Sequence, residues 1–192
     1  MRLSGELHGR GTGAIILAIF GGGWMVAALH TLPHVWFWLF PCDLLPASLL
    51  VIWGVSLIRA SNRMRESEPA LTAAEVAAES AVGKRFAWIF GGEGVAIFIA
   101  VNVLANIGKS AFLLPTIGVI VGLHFMPLAR LFRYSLYYWS GAIQVVLCLG
   151  TAVAMRSHLN ALNTVVGLEM GLTLWITVFA RLIRSRQFQR AG

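Results

Sequence analysis

Residues 86–106 read FAWIFGGEGVAIFIAVNVLAN, 21 positions with one charged side chain, Glu93. No other feature narrows the fold of this chain so far. The run matches the ~20 apolar residues that a helix needs to cross a hydrocarbon layer about 30 Å thick. Backbone polar groups in hydrocarbon must be satisfied within their own segment, which a helix does. An acid inside such a run is costly to keep, so Glu93 is a functional-site candidate from the outset. Glycines at 91, 92 and 94 flank it.

Five more runs of span length follow the same logic, at about residues 12–30, 35–58, 111–129, 136–155 and 161–180. The expected fold class is therefore all-α: a polytopic membrane protein with six transmembrane helices, forming one integral membrane domain over residues 1–192. Composition agrees. The chain is 58% hydrophobic and 12% charged, against about 25% charged in soluble domains, and its mean hydropathy is +0.77. Outer-membrane barrel strands alternate and run about ten residues, so these longer blocks favour helices over a barrel.

The net charge of +7 does not point to nucleic acid, because the basic residues lie between the apolar runs. With the N-terminus inside, thirteen of the fifteen Lys and Arg residues fall on the inner side; Lys109 and Arg156 are the two on the outer side. That asymmetry predicts six spans with both termini cytoplasmic. The basic start, apolar core and Val26-Ala27-Ala28 of the first run imitate a signal peptide, but the charge count requires the run as a span. The Arg-rich tail, with Arg181, Arg184, Arg186 and Arg190, is expected to meet anionic lipid headgroups. The lipid bilayer is the main partner expected.

Local signals predict further detail. Thr31 to His34 leaves room for a tight turn. Pro41 and Pro46 predict a kink or break near Asp43. Trp36, Phe37 and Trp38 suit one aromatic belt, and Tyr137, Tyr138 and Trp139 another. Residues 59–85 read as a cytoplasmic loop. Within it, Thr72-Ala73-Ala74-Glu75 has capping-box spacing and starts a short surface helix ending near Gly83. Gly118 and Gly122, four apart, allow close helix approach and permit a homodimer. Ser140, Gln144 and Cys148 form a mildly polar stripe. Asn102 lies half a turn round from Glu93, which predicts a third span surrounded by other helices.

The candidate proton- or cation-binding residues are Asp43, Glu93, Glu169 and His124. The three acids lie within spans, and no Lys or Arg lies within a span to pair with them. Each acid needs a partner, a wet cavity, a bound cation or a proton. His124 suits a relay or a ligand. Cys42 and Cys148 have no metal or CxxC spacing and read as packing residues. No catalytic residue, metal site or cofactor is expected: metalloprotease, nucleophile-elbow, Walker and dinucleotide motifs are missing.

Leu-His-x-x-Pro occurs at 29–33 and at 123–127; Gly-x-Glu occurs at 91–93 and at 167–169. Such echoes suggest two inverted three-helix repeats, a plan used by many secondary transporters. Gly122-Leu123-His124-Phe125-Met126-Pro127-Leu128-Ala129 resembles small bacterial multi-pass membrane proteins grouped as families of unknown function. The likeness covers about residues 118–134, with a looser echo in the Pro-interrupted second span. It implies a bacterial inner-membrane location and no transferable activity. The leading functional expectation is a small secondary transporter or channel-like protein for a cation or a proton-coupled solute. A structural or accessory membrane subunit is the second. A membrane-embedded enzyme that brings Asp43, His124 and one glutamate together is the third.

Overall fold

Six helices follow one another through short connections: α1 (Leu3–His30), α2 (Trp36–Ser67), α3 (Ala73–Asn106), α4 (Leu113–Phe132), α5 (Leu136–Ala154) and α6 (Leu159–Arg190), with a 3-10 turn, Ser110–Phe112, before α4. The computed structural model describes residues 2–32 and 36–190, with the side chains at 36, 37, 160 and 182–190 outside that set. The Pro33-His34 part of the first turn, the Trp36 and Phe37 part of the belt, and Arg184, Arg186 and Arg190 of the tail thus lie outside the described residues. Among the described residues there is no strand, and all six helices hold a stretch long and apolar enough to cross a membrane. The chain is an all-α polytopic membrane protein.

Helix α1 packs along α2 and α6, α5 along α4 and α6, and α3 along α4. Glycines make the closest approaches. A Cβ at Gly11 would sit 2.6 Å from the Gly54 carbonyl oxygen, and one at Gly54 would sit 2.8 Å from that of Gly11. Gly21 faces Gly171 between α1 and α6, and Gly122 faces Gly141 between α4 and α5. Lipid tails are as apolar as Leu, so helices in a bilayer gain by close packing rather than by hiding apolar area, and small residues permit it. Gly118 meets Cys148 and Met170, so the close approach expected at Gly118 and Gly122 is present. Ser140, Gln144 and Cys148 are all buried on α5. Gly108, at φ 68°, turns the chain between α3 and α4, the left-handed conformation that favours glycine.

Four expectations need correction. Of the kink or break expected near Asp43, the break is absent: α2 is one helix through Pro41 and Pro46, and membrane helices tolerate proline where neighbouring groups re-satisfy the freed carbonyls. The 59–85 loop is mostly helix, with only 68–72 between α2 and α3. The helix that starts at Thr72 does not end near Gly83 but continues into the third span; one glycine costs a helix about 1 kcal/mol, and no proline or cap follows it. Tyr137 is a core residue at 5% exposure, not an interface anchor, while Tyr138 and Trp139 are exposed. The two-half repeat is not shown. His124 lies inside α4 but His30 ends α1, and α5 packs along α6 while Arg65 near the end of α2 meets α3 through Glu79 at its start.

The N-terminus clasps the α2–α3 connection. Arg2 donates to both Glu75 carboxylate oxygens, at 2.9 and 2.8 Å, and to the carbonyls of Pro69 and Ala70. Thr72 and Glu75 complete the capping box. Glu75 precedes the apolar run. The Arg2 guanidinium, then the Thr72 amide and hydroxyl, hold its carboxyl down from 4.5 to about 2. A depressed carboxyl stabilises the fold above its unfolded value, and the effect fades as pH falls toward the folded one. Thermal unfolding of wild type and Glu75→Gln should therefore differ at neutral pH and converge as pH is lowered from about 4.5 to about 2. A difference that persists unchanged at the acid end would contradict the clasp.

Candidate functional site

Glu93 and His124 meet at the α3–α4 interface, with His124 Nδ1 3.4 Å from Glu93 Oε2. Their side chains are 12% and 9% exposed, so both are largely withdrawn from the bundle surface. Helix geometry sets this meeting. Phe86 on α3 contacts Phe132 on α4, ring centroids 6.1 Å apart. Glu93 lies seven residues beyond Phe86 and His124 eight before Phe132, so antiparallel helices bring both to about 10–12 Å above that contact. The imidazole also meets the Ile89 carbonyl of α3.

Aromatic rings close the space around the pair. Phe90 and Phe125 lie edge-on to the His124 ring, at 6.3 and 6.4 Å. Below them Phe86, Phe132 and Tyr137 continue the layer toward the end of the bundle that holds Arg2 and Arg181. On the other side Gly91, Gly92 and Gly94 have nothing within 4 Å of a notional Cβ. The pair is therefore walled by rings on one side and thinly covered on the α3 side.

Asn102 does not bring other helices round α3. It is exposed and donates to the Phe98 carbonyl of its own helix at 2.7 Å, and no residue of α3 is buried. That internal bond satisfies half of the amide, and Asn102 stands four residues from the helix end, about 6 Å from where water returns. The span expected at the centre of the bundle is its most peripheral one.

Glu169 sits elsewhere, between α5 and α6. Its Oε1 accepts a hydrogen bond from Thr151 at 2.6 Å, and its Oε2 is buried without a hydrogen-bond partner among the described residues. A polar seam runs from it along α6. Thr173 donates to the Glu169 carbonyl and Thr177 to the Thr173 carbonyl, and the Thr177 and Ser140 hydroxyls share a hydrogen bond, each at 2.7 Å. Arg181 then donates to the Tyr137 hydroxyl at 3.0 Å and lies 5.4 Å from the Tyr134 ring centre. On α4 and α5, Gln144 donates to the Gly118 carbonyl at 3.2 Å. The four-residue spacing of Ser140, Gln144 and Cys148 signalled half of this seam. The roles of Thr151, Thr177 and Arg181 were missed, although Glu169, Thr173, Thr177 and Arg181 repeat every four residues along one helix face.

Asp43 belongs to a third helix pair. It is 5% exposed and faces Gly22 of α1 from α2. The four candidates thus form one pair, Glu93 with His124, and two separate acids. Among the described residues no group of three or more His, Cys, Asp or Glu is placed to hold a metal ion.

Compared with protein-family models, curated proteins and solved structures, the chain finds no match.

Proposed function

We propose that this protein is a small secondary transporter or channel-like protein of the bacterial inner membrane, moving a cation or a proton-coupled solute, with both termini cytoplasmic. The observation that carries the reading is the Glu93–His124 contact in an otherwise apolar, ring-lined interface. A carboxylic acid and an imidazole share one proton as a neutral pair or as an ion pair without changing their summed charge. A second proton or a cation makes the site positive, and release restores it. Intramembrane acid–histidine sets serve proton relays for this reason. Helix α3 supports the reading further: it packs along α4 and has no buried residue, so it can shift with little loss of core packing. The charge asymmetry of the connections supports that orientation. Arg-rich α6 would hold anionic headgroups on the same side.

A structural or accessory role is the second reading, favoured by the uncovered outward face of α3, where Trp88 is 83% exposed. A membrane-embedded enzyme gains no support, since Asp43 stands against α1, apart from the Glu93–His124 pair.

The test is proton flux into proteoliposomes that contain an internal pH dye, under an imposed potential, with sodium and potassium gradients in turn. Flux above that of protein-free vesicles is expected. Flux equal to the protein-free leak under every gradient would remove the transport reading.

A further inference from the structure

Asp43 stands beside a groove open on the side of the bundle, between α1 and α2. Gly22 and Gly23 of α1 and Ala47 and Ser48 of α2 line it, with Ile19 and Leu44 at its rim. Ile19 and Leu44 are 59% and 45% exposed. Asp43 also lines the groove, yet the residue is only 5% exposed and its buried Oδ1 has no hydrogen-bond partner among the described residues. A notional Cβ at Gly22 lies 3.8 and 4.0 Å from the two carboxylate oxygens, while one at Gly23 meets nothing within 4 Å. The glycines thus leave the space beside the acid unfilled.

A buried carboxylate is stabilised by a cation or by a proton. No Lys or Arg lies on α1 between Arg10 and His30, or on α2 before Arg59. Among the described residues, then, neither α1 nor α2 sets a Lys or Arg beside Asp43, and a cation that neutralises it comes from outside these two helices. Asp43 is seven residues inside the start of α2 at Trp36, about 10 Å down the helix. A lipid headgroup ammonium rides at the surface and falls short of that depth. A hydrated inorganic ion finds apolar walls and a single carboxylate, too few oxygens to replace its water. A cation wrapped in its own apolar body fits both the depth and the walls.

We propose that the α1–α2 groove binds an apolar organic cation, with Asp43 as its counter-charge. This site is on a different helix pair from Glu93 and His124, so it stands or falls separately from the transport reading.

The test is equilibrium binding of tetraphenylphosphonium to the full-length protein in nanodiscs of phosphatidylglycerol, read as counts retained over protein-free discs. Saturable binding is expected. Asp43→Asn keeps the shape and removes the charge, and should weaken binding on the order of tenfold or more. Gly23→Leu fills the groove with the acid intact and should also weaken it, while Glu93→Gln should bind as wild type does. Equal binding by wild type and Asp43→Asn would overturn the assignment, as mere partition into lipid. Displacement of the probe by phosphatidylethanolamine in the discs would overturn it too, giving the groove to a lipid headgroup.

Discussion

Glu93→Gln is expected to bring proton flux in proteoliposomes down to the protein-free leak, a loss on the order of tenfold or more, while the protein stays folded. Glutamine keeps the shape of glutamate and still offers an oxygen toward His124 Nδ1, 3.4 Å away. What it loses is the capacity to take up and release a proton. The structural cost should be small, about 1 kcal/mol for one weakened polar contact, because α3 has no buried residue to disturb. His124→Gln should have the same effect on flux, since the two groups exchange one proton. Both variants are read by flux and by thermal unfolding on the same preparation. A variant that keeps its flux but unfolds much earlier would make the pair a clamp between α3 and α4 rather than a relay.

The largest effect on stability is expected at Gly141. Its notional Cβ collides with the Gly122 carbonyl oxygen and comes within 2.9 Å of Phe125 Cβ, and one at Gly122 would lie 2.9 Å from the Gly141 oxygen. Two backbones touch here, so a valine cannot be absorbed by a side-chain turn. The helices must move apart, and with them the Gln144 bond to the Gly118 carbonyl and the seam below it. Overpacking of this kind costs about 3 kcal/mol, which lowers Tm by about 10 °C in a chain of this size. Gly150→Val is the control, because nothing lies within 4 Å of Gly150 on the same helix. It should unfold within about 2 °C of wild type, given its open surroundings. Equal losses at both positions would mean that helix propensity, not close approach, sets the effect.

The number of spans was readable because span length is a property of the bilayer, which hydropathy measures directly. The contacts at Gly118 and Gly122 and the buried stripe at Ser140, Gln144 and Cys148 were readable because helical spacing puts such residues on one face. Partner choice was not. Lipid-facing and helix-facing positions are equally apolar, so Phe98, 68% exposed, and Phe125, 3% exposed, look alike in sequence. For the same reason α3 looked central and is peripheral. His124 was named beside Glu93 as a candidate, but nothing in their spacing said that these two would meet while Asp43 and Glu169 stood apart. The helical continuation through Gly83 was missed because a local breaker was weighed without the span that follows it. The Arg2 clasp was hidden for a different reason: it joins residues 73 positions apart that no local pattern links.

The central claim is that Glu93 takes up and gives up a proton within the membrane. It is tested most directly by carbodiimide labelling of the purified protein across pH, with the modified residues mapped by mass spectrometry and Glu93→Gln as control. The reagent attacks protonated carboxyls in apolar surroundings that it can reach. Labelling at Glu93 that falls as pH rises, and is absent from the variant, is the result predicted. No labelling at Glu93 at any pH would contradict the claim and leave the pair as a structural contact between α3 and α4.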